Sequence, residues 1–335
     1  MRKTIKIFKK KKFMALLFSM FIAFSIVFAL KNERRGEIFS VASLEENEEY
    51  EIISLFGKKL YPLPPDKTSI ENYEKAKLEF ENNPNEKNYI WLGRRTAYLM
   101  KYKKAIEIYT EGLIRYPSSY RLLRHRGHRY ITIREFEKAI SDLKKAAELI
   151  QGKPLEKEED GIPNKANIPL SNTQFNIWYH LGLAYYLSED YINAIQAYKE
   201  CLKWCDNDDL LVATLDWLYM TYRRIGEVNE AQKLLTPIHE KMKIIENQAY
   251  HRRLLMYKGL IKPETLILIP ENESEYEKSL TFSVHAYGLG NWYYYQGEES
   301  KAREIFELLL KEKNWATFGY IAAEVDLYSI QKKES

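Results

Sequence analysis

Between Arg121 and Arg129 the chain places four arginines and two histidines, groups that can hold an anion, carry a proton or ligate a metal. His125 and His128 stand three apart, a spacing that lets two imidazoles on one helix face share an ion. No carboxylate or cysteine lies near enough in sequence to complete such a site. The two therefore read as a surface pair, and no metal is expected. Cys201 and Cys205 are four apart on one helix, a geometry that a disulfide rarely tolerates; they read as thiols filling small core positions. The chain has no phosphate-binding glycine loop, no G-x-S-x-G, no H-E-x-x-H and no C-x-x-C, the local arrangements that phosphate, acyl, zinc or redox chemistry would need. No catalytic centre and no cofactor is implied, so what the arginines do depends on the elements that carry them.

The 335 residues are 45% hydrophobic and 29% charged, the make-up of a globular protein rather than of a disordered, collagenous or disulfide-framework chain. Seven of the basic residues lie in the first twelve positions. Without them 44 basic residues face 47 acidic ones, a balance of −3. The overall charge of +4 thus belongs to the N-terminus and does not point to nucleic acid. Residues 13–30, FMALLFSMFIAFSIVFAL, carry no charge and are long enough to enter a membrane, as a signal peptide or as an N-terminal anchor. The basic residues before them keep residues 1–12 in the cytoplasm, so the rest is expected on the far side, in the cell envelope. Membrane contact is expected through residues 13–30 if they are not cleaved.

Residues 31–68 are polar and then proline-rich, with YPLPP at 61–65, and read as a linker. Beyond them apolar residues recur at spacings of three and four almost to the end; the one short alternating stretch is TLILI at 265–269. The chain is expected to be all-α. Trp178, Leu181, Gly182 and Tyr185 precede Ala194 and Tyr198, and the pattern recurs with Gly93 and Ala105, Gly127 and Ala139, Leu218 and Ala231, and Gly290 and Ala302. The alanines are separated by 34, 55, 37 and 71 residues: one period of 34, one period with an insertion at 151–171, one with a longer loop, and two periods with a degenerate unit at 246–280. Ser69 reads as the N-cap of a leading half-unit and residues 315–330 as a capping helix.

This pattern, W-x2-L-G-x2-Y followed by A-x3-Y every 34 residues, resembles the tetratricopeptide repeat (TPR) over residues 69–330. The stretches at 124–140 and 175–187 also resemble uncharacterised bacterial TPR proteins. The resemblance implies a right-handed α-solenoid of five recognisable repeats, a degenerate unit and a capping helix, serving as a scaffold that binds a protein or peptide. Counting along the first helix of each unit places one stripe toward the concave groove. It holds Arg94 from the first unit; Arg121, Arg124 and His128 from the second; Tyr179 and Tyr186 from the third; Arg223 from the fourth; and Tyr287, Asn291 and Tyr294 from the last. The groove is thus expected to be cationic at one end and aromatic at the other, suited to an extended ligand with carboxylates. In TPR domains that clamp a terminal carboxylate an Asn stands where this chain has Arg94, so a strict clamp is not implied. Arg95, Arg126 and Arg129 are expected to turn to acids on neighbouring helices. Two other readings remain open: an enzyme or glycan-processing factor built across the groove from Arg124, His128, Tyr179 and Asp216, and a spacer without a ligand. The insertion carries EKEED at 156–160 between Gly152, Pro154, Gly161 and Pro163, so this acidic loop either lies across Arg121, Arg124 and His128 or stays in solvent.

Overall fold

The computed structural model describes residues 50–164, 166–266 and 275–334. The apolar run at 13–30, the linker up to residue 49, and residues 267–269 of TLILI lie outside the described residues. Among the described residues thirteen α-helices follow a two-stranded antiparallel hairpin, β1 (Ile52–Ile53) and β2 (Lys59–Leu60). After α1 (Lys67–Asn82) come the hairpins α2 (Glu86–Tyr98) with α3 (Tyr102–Arg115), α4 (Tyr120–Thr132) with α5 (Phe136–Leu149), α6 (Thr173–Leu187) with α7 (Tyr191–Leu202), and α8 (Asp208–Arg224) with the short α9 (Val228–Leu234). The degenerate unit contributes α10 (Gln248–Tyr257) and one 3₁₀ turn at Pro263–Thr265, and the last hairpin is α11 (Glu275–Tyr295) with α12 (Glu299–Leu309). Helix α13 (Phe318–Glu334) ends the array.

Local chemistry explains where these helices begin. The side chains of Asn85, Ser119, Asn172 and Asn207 each accept a hydrogen bond from the N–H three residues on, satisfying an orphan donor of the first turn. The first cap of the array is Asp66, which accepts from the Ser69 N–H. Ser69, expected as the cap, is already inside the helix. Asp66 takes the cap because it follows YPLPP directly, and proline cannot continue a helical ladder.

Each hairpin turns through one residue with positive φ: Met100, Arg134, Glu189, Gly226 and Gly297, at 56–83°. These stand five residues before Ala105, Ala139, Ala194, Ala231 and Ala302, so turn and packing alanine repeat together. Within a hairpin the helices approach at a glycine. A Cβ on Gly182 would lie 2.7 Å from the Tyr198 ring, one on Gly127 2.7 Å from Leu143, and one on Gly290 2.6 Å from Phe306. Replacing Gly182 by leucine is therefore expected to destabilise the chain by about 1–3 kcal/mol through overpacking. Urea denaturation measures the loss, and an unchanged midpoint would mean that α6 and α7 do not close on Gly182.

The array closes on itself. Helix α13 packs against α11 and α12 and reaches back to α6, with Gly319 to Leu327 buried almost without interruption. Phe318 meets the rings of His128 and His180. Glu324 pairs with Arg134, whose Nη2 lies 2.6 Å from its carboxylate, and Asp326 pairs with Arg224. Residues 51–66 are not a free linker. The Leu55 N–H donates to Glu324, the Trp315 indole N–H donates to the Tyr61 carbonyl, and Ile52 and Leu60 share a core with Trp315 and Tyr320. The β-hairpin thus bolts the last helix to the first units. Cys201 and Cys205 are free thiols packed beside Thr214.

Candidate partner-binding site

Helices α2 and α4 lie side by side as the first helices of consecutive units, and their inner stripes bring Lys87 and Arg94 beside Arg121 and Arg124. With Glu86, Ile90, Trp91 and His125 they line a cavity of about 310 Å³. Four cations face one acid before the insertion is counted. The Arg94 guanidinium lies 4.5 Å from the centre of the Trp91 ring, which holds its plane along the cavity wall.

The insertion crosses this cavity. Glu156 accepts from both Nε and Nη2 of Arg121 at 2.5 Å and from the Tyr120 hydroxyl at 2.9 Å. Glu158 lies 3.0 Å from Arg124 Nη2 and accepts from the Asn176 amide at 2.9 Å. Glu159 pairs with Lys87 at 2.9 Å, and its carbonyl accepts from Arg94. The Gly161 carbonyl accepts from Arg95. The acidic loop therefore lies on the cations and is not a solvated excursion. Lys157 points the other way, 2.8 Å from Asp206.

Electrostatics follows from burial. The Arg124 side chain is 9% exposed; burial lowers its pKa, with the Glu158 charge opposing, while the Nε atom has no hydrogen-bond partner. For Glu156 burial acts upward, but the hydrogen bonds from Arg121 and Tyr120 outweigh it and hold the carboxyl below its usual range. The Tyr120 hydroxyl is pushed up to about 12 by burial and by the Glu156 carboxylate it donates to. Asp160 is raised by burial, which the Arg94 charge only partly offsets.

The other stripe residues lie elsewhere. His128 is half-buried: its ring nitrogens face Arg129, and its ring lies 4.2 Å from that of His180. His125 is buried, against Arg124 and the Tyr109 ring, so the expectation of a surface pair fails: Tyr109 covers one imidazole, and His180 and Phe318 of α13 pack on the other. Tyr179 is buried and donates to the Tyr250 hydroxyl. The Tyr186 and Tyr287 hydroxyls bond each other at 2.7 Å, and Tyr287 donates to Asp326 of α13. Asn291 accepts from Arg224, Arg223 stacks on Tyr295, and Tyr294 lies under Arg224. The aromatic end is therefore no open surface: α13 occupies it.

The alternative catalytic set is not assembled, since Asp216 is fully buried with Arg253 and only Arg124 of the four lines the cavity. Arg126 grips Asp142 with two bonds of 2.7 Å, as expected for a cation turned to an acid, whereas Arg95 and Arg129 find a carbonyl and an imidazole. Sequence reasoning missed Tyr120 as a partner of the loop. Tyr120 opens α4 one residue before Arg121, and that adjacency was the available signal.

The tetratricopeptide repeat family model matches residues 175–208, the hairpin of α6 and α7. The fold is similar to the solved structure of YrrB, described as a TPR protein with an unusual peptide-binding site, at 15% identity over 78% of this chain and 99% of that one, with a TM-score of 0.40. It is also similar to a tetratricopeptide repeat protein from Parabacteroides merdae ATCC 43184, at 17% identity over 78% and 92%, with a TM-score of 0.45. No curated protein matches the sequence significantly. Residues 175–208 thus form a tetratricopeptide repeat, and the hairpins stacked on either side of it make the chain an all-α, TPR-like solenoid.

Proposed function

We propose that this chain is an exported interaction scaffold that binds a protein or peptide partner of acidic or carboxylate character on the cationic inner face of α2 and α4. The observation that carries the reading is the convergence of Lys87, Arg94, Arg121 and Arg124 on one cavity. Four cations gathered in a concave, partly desolvated site repel one another and need an anion, which makes the site selective by charge. The export half of the proposal rests on the seven basic residues that precede the uncharged run at 13–30, and it places the scaffold in the cell envelope, periplasmic or extracytoplasmic. There it is either anchored to the inner membrane by that run or released from it by cleavage.

One experiment with two arms tests this. A phosphatase fused after residue 335 is expected to be active outside the cytoplasm, and a photo-crosslinking residue in place of Ile90 is expected to capture a partner protein in intact cells. Capture should fall to background when Arg121 and Arg124 are both replaced by alanine. Activity confined to a cytoplasmic reporter would overturn export, and capture indifferent to the arginines would overturn the site.

A further inference from the structure

We infer that residues 156–160 are a built-in pseudo-ligand, and that the partner of this site is an extended acidic segment presenting carboxylates at alternate positions, Glu-x-Glu, within the chain rather than at its end. The inference rests on the proposed scaffold function and adds the form of the ligand.

The strap is extended where it crosses the cavity. Lys157 bridges Asn172 in antiparallel fashion, the Glu158 N–H donates to the Ser171 carbonyl at 3.1 Å, and the Thr173 N–H donates to the Glu156 carbonyl at 2.8 Å. In extended chain alternate side chains share a face, which is why Glu156 and Glu158 both turn to α4 while Lys157 turns to Asp206. Their partners, Arg121 and Arg124, are three apart on a helix and also share a face. Two residues of extended chain advance about 7 Å and three residues of helix about 4.5 Å, a difference that two arginine side chains take up. Adjacent glutamates would point to opposite faces, and only one would reach α4.

The strap is also held in a way that an incoming segment can reproduce. Its outer pair, Lys87 with Glu159, is 65% exposed on both sides, and such pairs contribute little. The strong contact is Arg124 with Glu158, 9% and 14% exposed. A guanidinium so buried cannot be left without a counter-charge, so the site is filled in every state, by the strap or by a segment that matches it. Exchange of one for the other trades like bonds for like, and the strap sets the affinity by competition. Gly152, whose φ is +71°, and Pro154 stand on one side of it, Gly161 and Pro163 on the other.

The test uses the full-length chain in detergent and two fluorescein-labelled peptides of equal composition, both acetylated and amidated: Leu-Glu-Lys-Glu-Ser-Gly and Leu-Glu-Glu-Lys-Ser-Gly. A variant with Glu156→Gln, Glu158→Gln and Glu159→Gln is expected to bind the alternating peptide about tenfold more tightly than the unmodified chain at low salt, the size expected for hydrogen bonds between charged groups. It should bind the adjacent-glutamate peptide at least about fivefold less tightly than the alternating one. Adding Arg124→Ala should abolish the gain. Equal binding by variant and unmodified chain, or equal binding of the two peptides, overturns the inference. Should the variant lose helicity, hydrogen exchange in the unmodified chain decides instead. Saturating alternating peptide should speed exchange at residues 157–160 as the strap leaves, and unchanged exchange overturns the pseudo-ligand. Crosslinking at Ile90 that depends on the arginines, without peptide discrimination, leaves the scaffold standing and removes only this ligand class; loss of both removes both.

Discussion

Replacing Glu324 by alanine is expected to destabilise the chain by about 3–5 kcal/mol, the cost of leaving a buried charge without its partner. Glu324 is 1% exposed and accepts two bonds from Arg134, at 2.9 Å and 2.6 Å, and a third from the Leu55 N–H at 2.7 Å. Its removal strands the Arg134 guanidinium, itself 4% exposed, and leaves a backbone donor without an acceptor. Arg134 keeps its bonds to the Thr132 and Trp315 carbonyls, which do not neutralise it. The loss should be local before it is global: amide exchange in Ile52–Leu60 and Phe318–Glu334 should rise first, because Glu324 joins the β-hairpin, the turn between α4 and α5, and α13. A double replacement, Arg134→Met with Glu324→Leu, should recover most of the stability, since an apolar pair of similar volume removes both charges at once. Urea denaturation of the two variants measures the difference. A Glu324→Ala chain that loses less than about 1 kcal/mol would show that the array is not closed by this pair.

The closure also shows what the amino-acid sequence discloses and what it withholds. The period of 34, the glycines and alanines that seat one helix on the next, and the insertion were legible because each reflects contacts between residues close in sequence. Two of the five turns were equally legible, since Gly226 and Gly297 adopt positive φ without strain. Met100, Arg134 and Glu189 occupy the same station at a cost of about 1–2 kcal/mol each, and nothing in their chemistry announces it. At Arg134 the pair with Glu324 supplies a reason for the backbone to stay there. The filling of the aromatic groove was hidden for a similar reason. Glu324 and Asp326 read as polar points on a capping helix, while their partners Arg134 and Arg224 lie 190 and 102 residues away. Charge pairing over such separations leaves no periodic trace. The cationic end was legible because its residues share two helices and its counter-charges form one compact acidic run.

Acid should destabilise the chain as pH falls through the ordinary histidine range. His125, His128 and His180 are all held well below the ordinary histidine range, first by burial and then by neighbouring positive charge: Arg124 and Arg94 for His125, Arg129 for His128, Arg124 for His180. The hydrogen bond between His180 and the Asn176 carbonyl opposes this without reversing it. Depressed pKa values mean that the unfolded chain binds more protons than the native one below about pH 6.5. His285 joins the three, pushed down to about 3 by burial and by the Arg253 and Arg252 charges. Stability is therefore complete above that pH and is lost as pH falls through it, by at most about 1.4 kcal/mol per pH unit for each histidine, or about 5.5 for the four together. Glu156 is held below the usual carboxylate range, and Asp160, Glu246 and Asp326, which burial raises, take up protons more readily in the folded chain and act in the opposite direction, so the loss belongs to the histidines. Urea midpoints at pH 7.5, 6.5 and 5.5 should fall steeply over the last step, and replacing both His128 and His180 by asparagine should remove about half of the slope. Flat midpoints would mean that the cluster is not buried and neutral. Because α4 carries His125 and His128 on the same helix as Arg121 and Arg124, acidic segments should dissociate over the same range even where their own charge is unchanged.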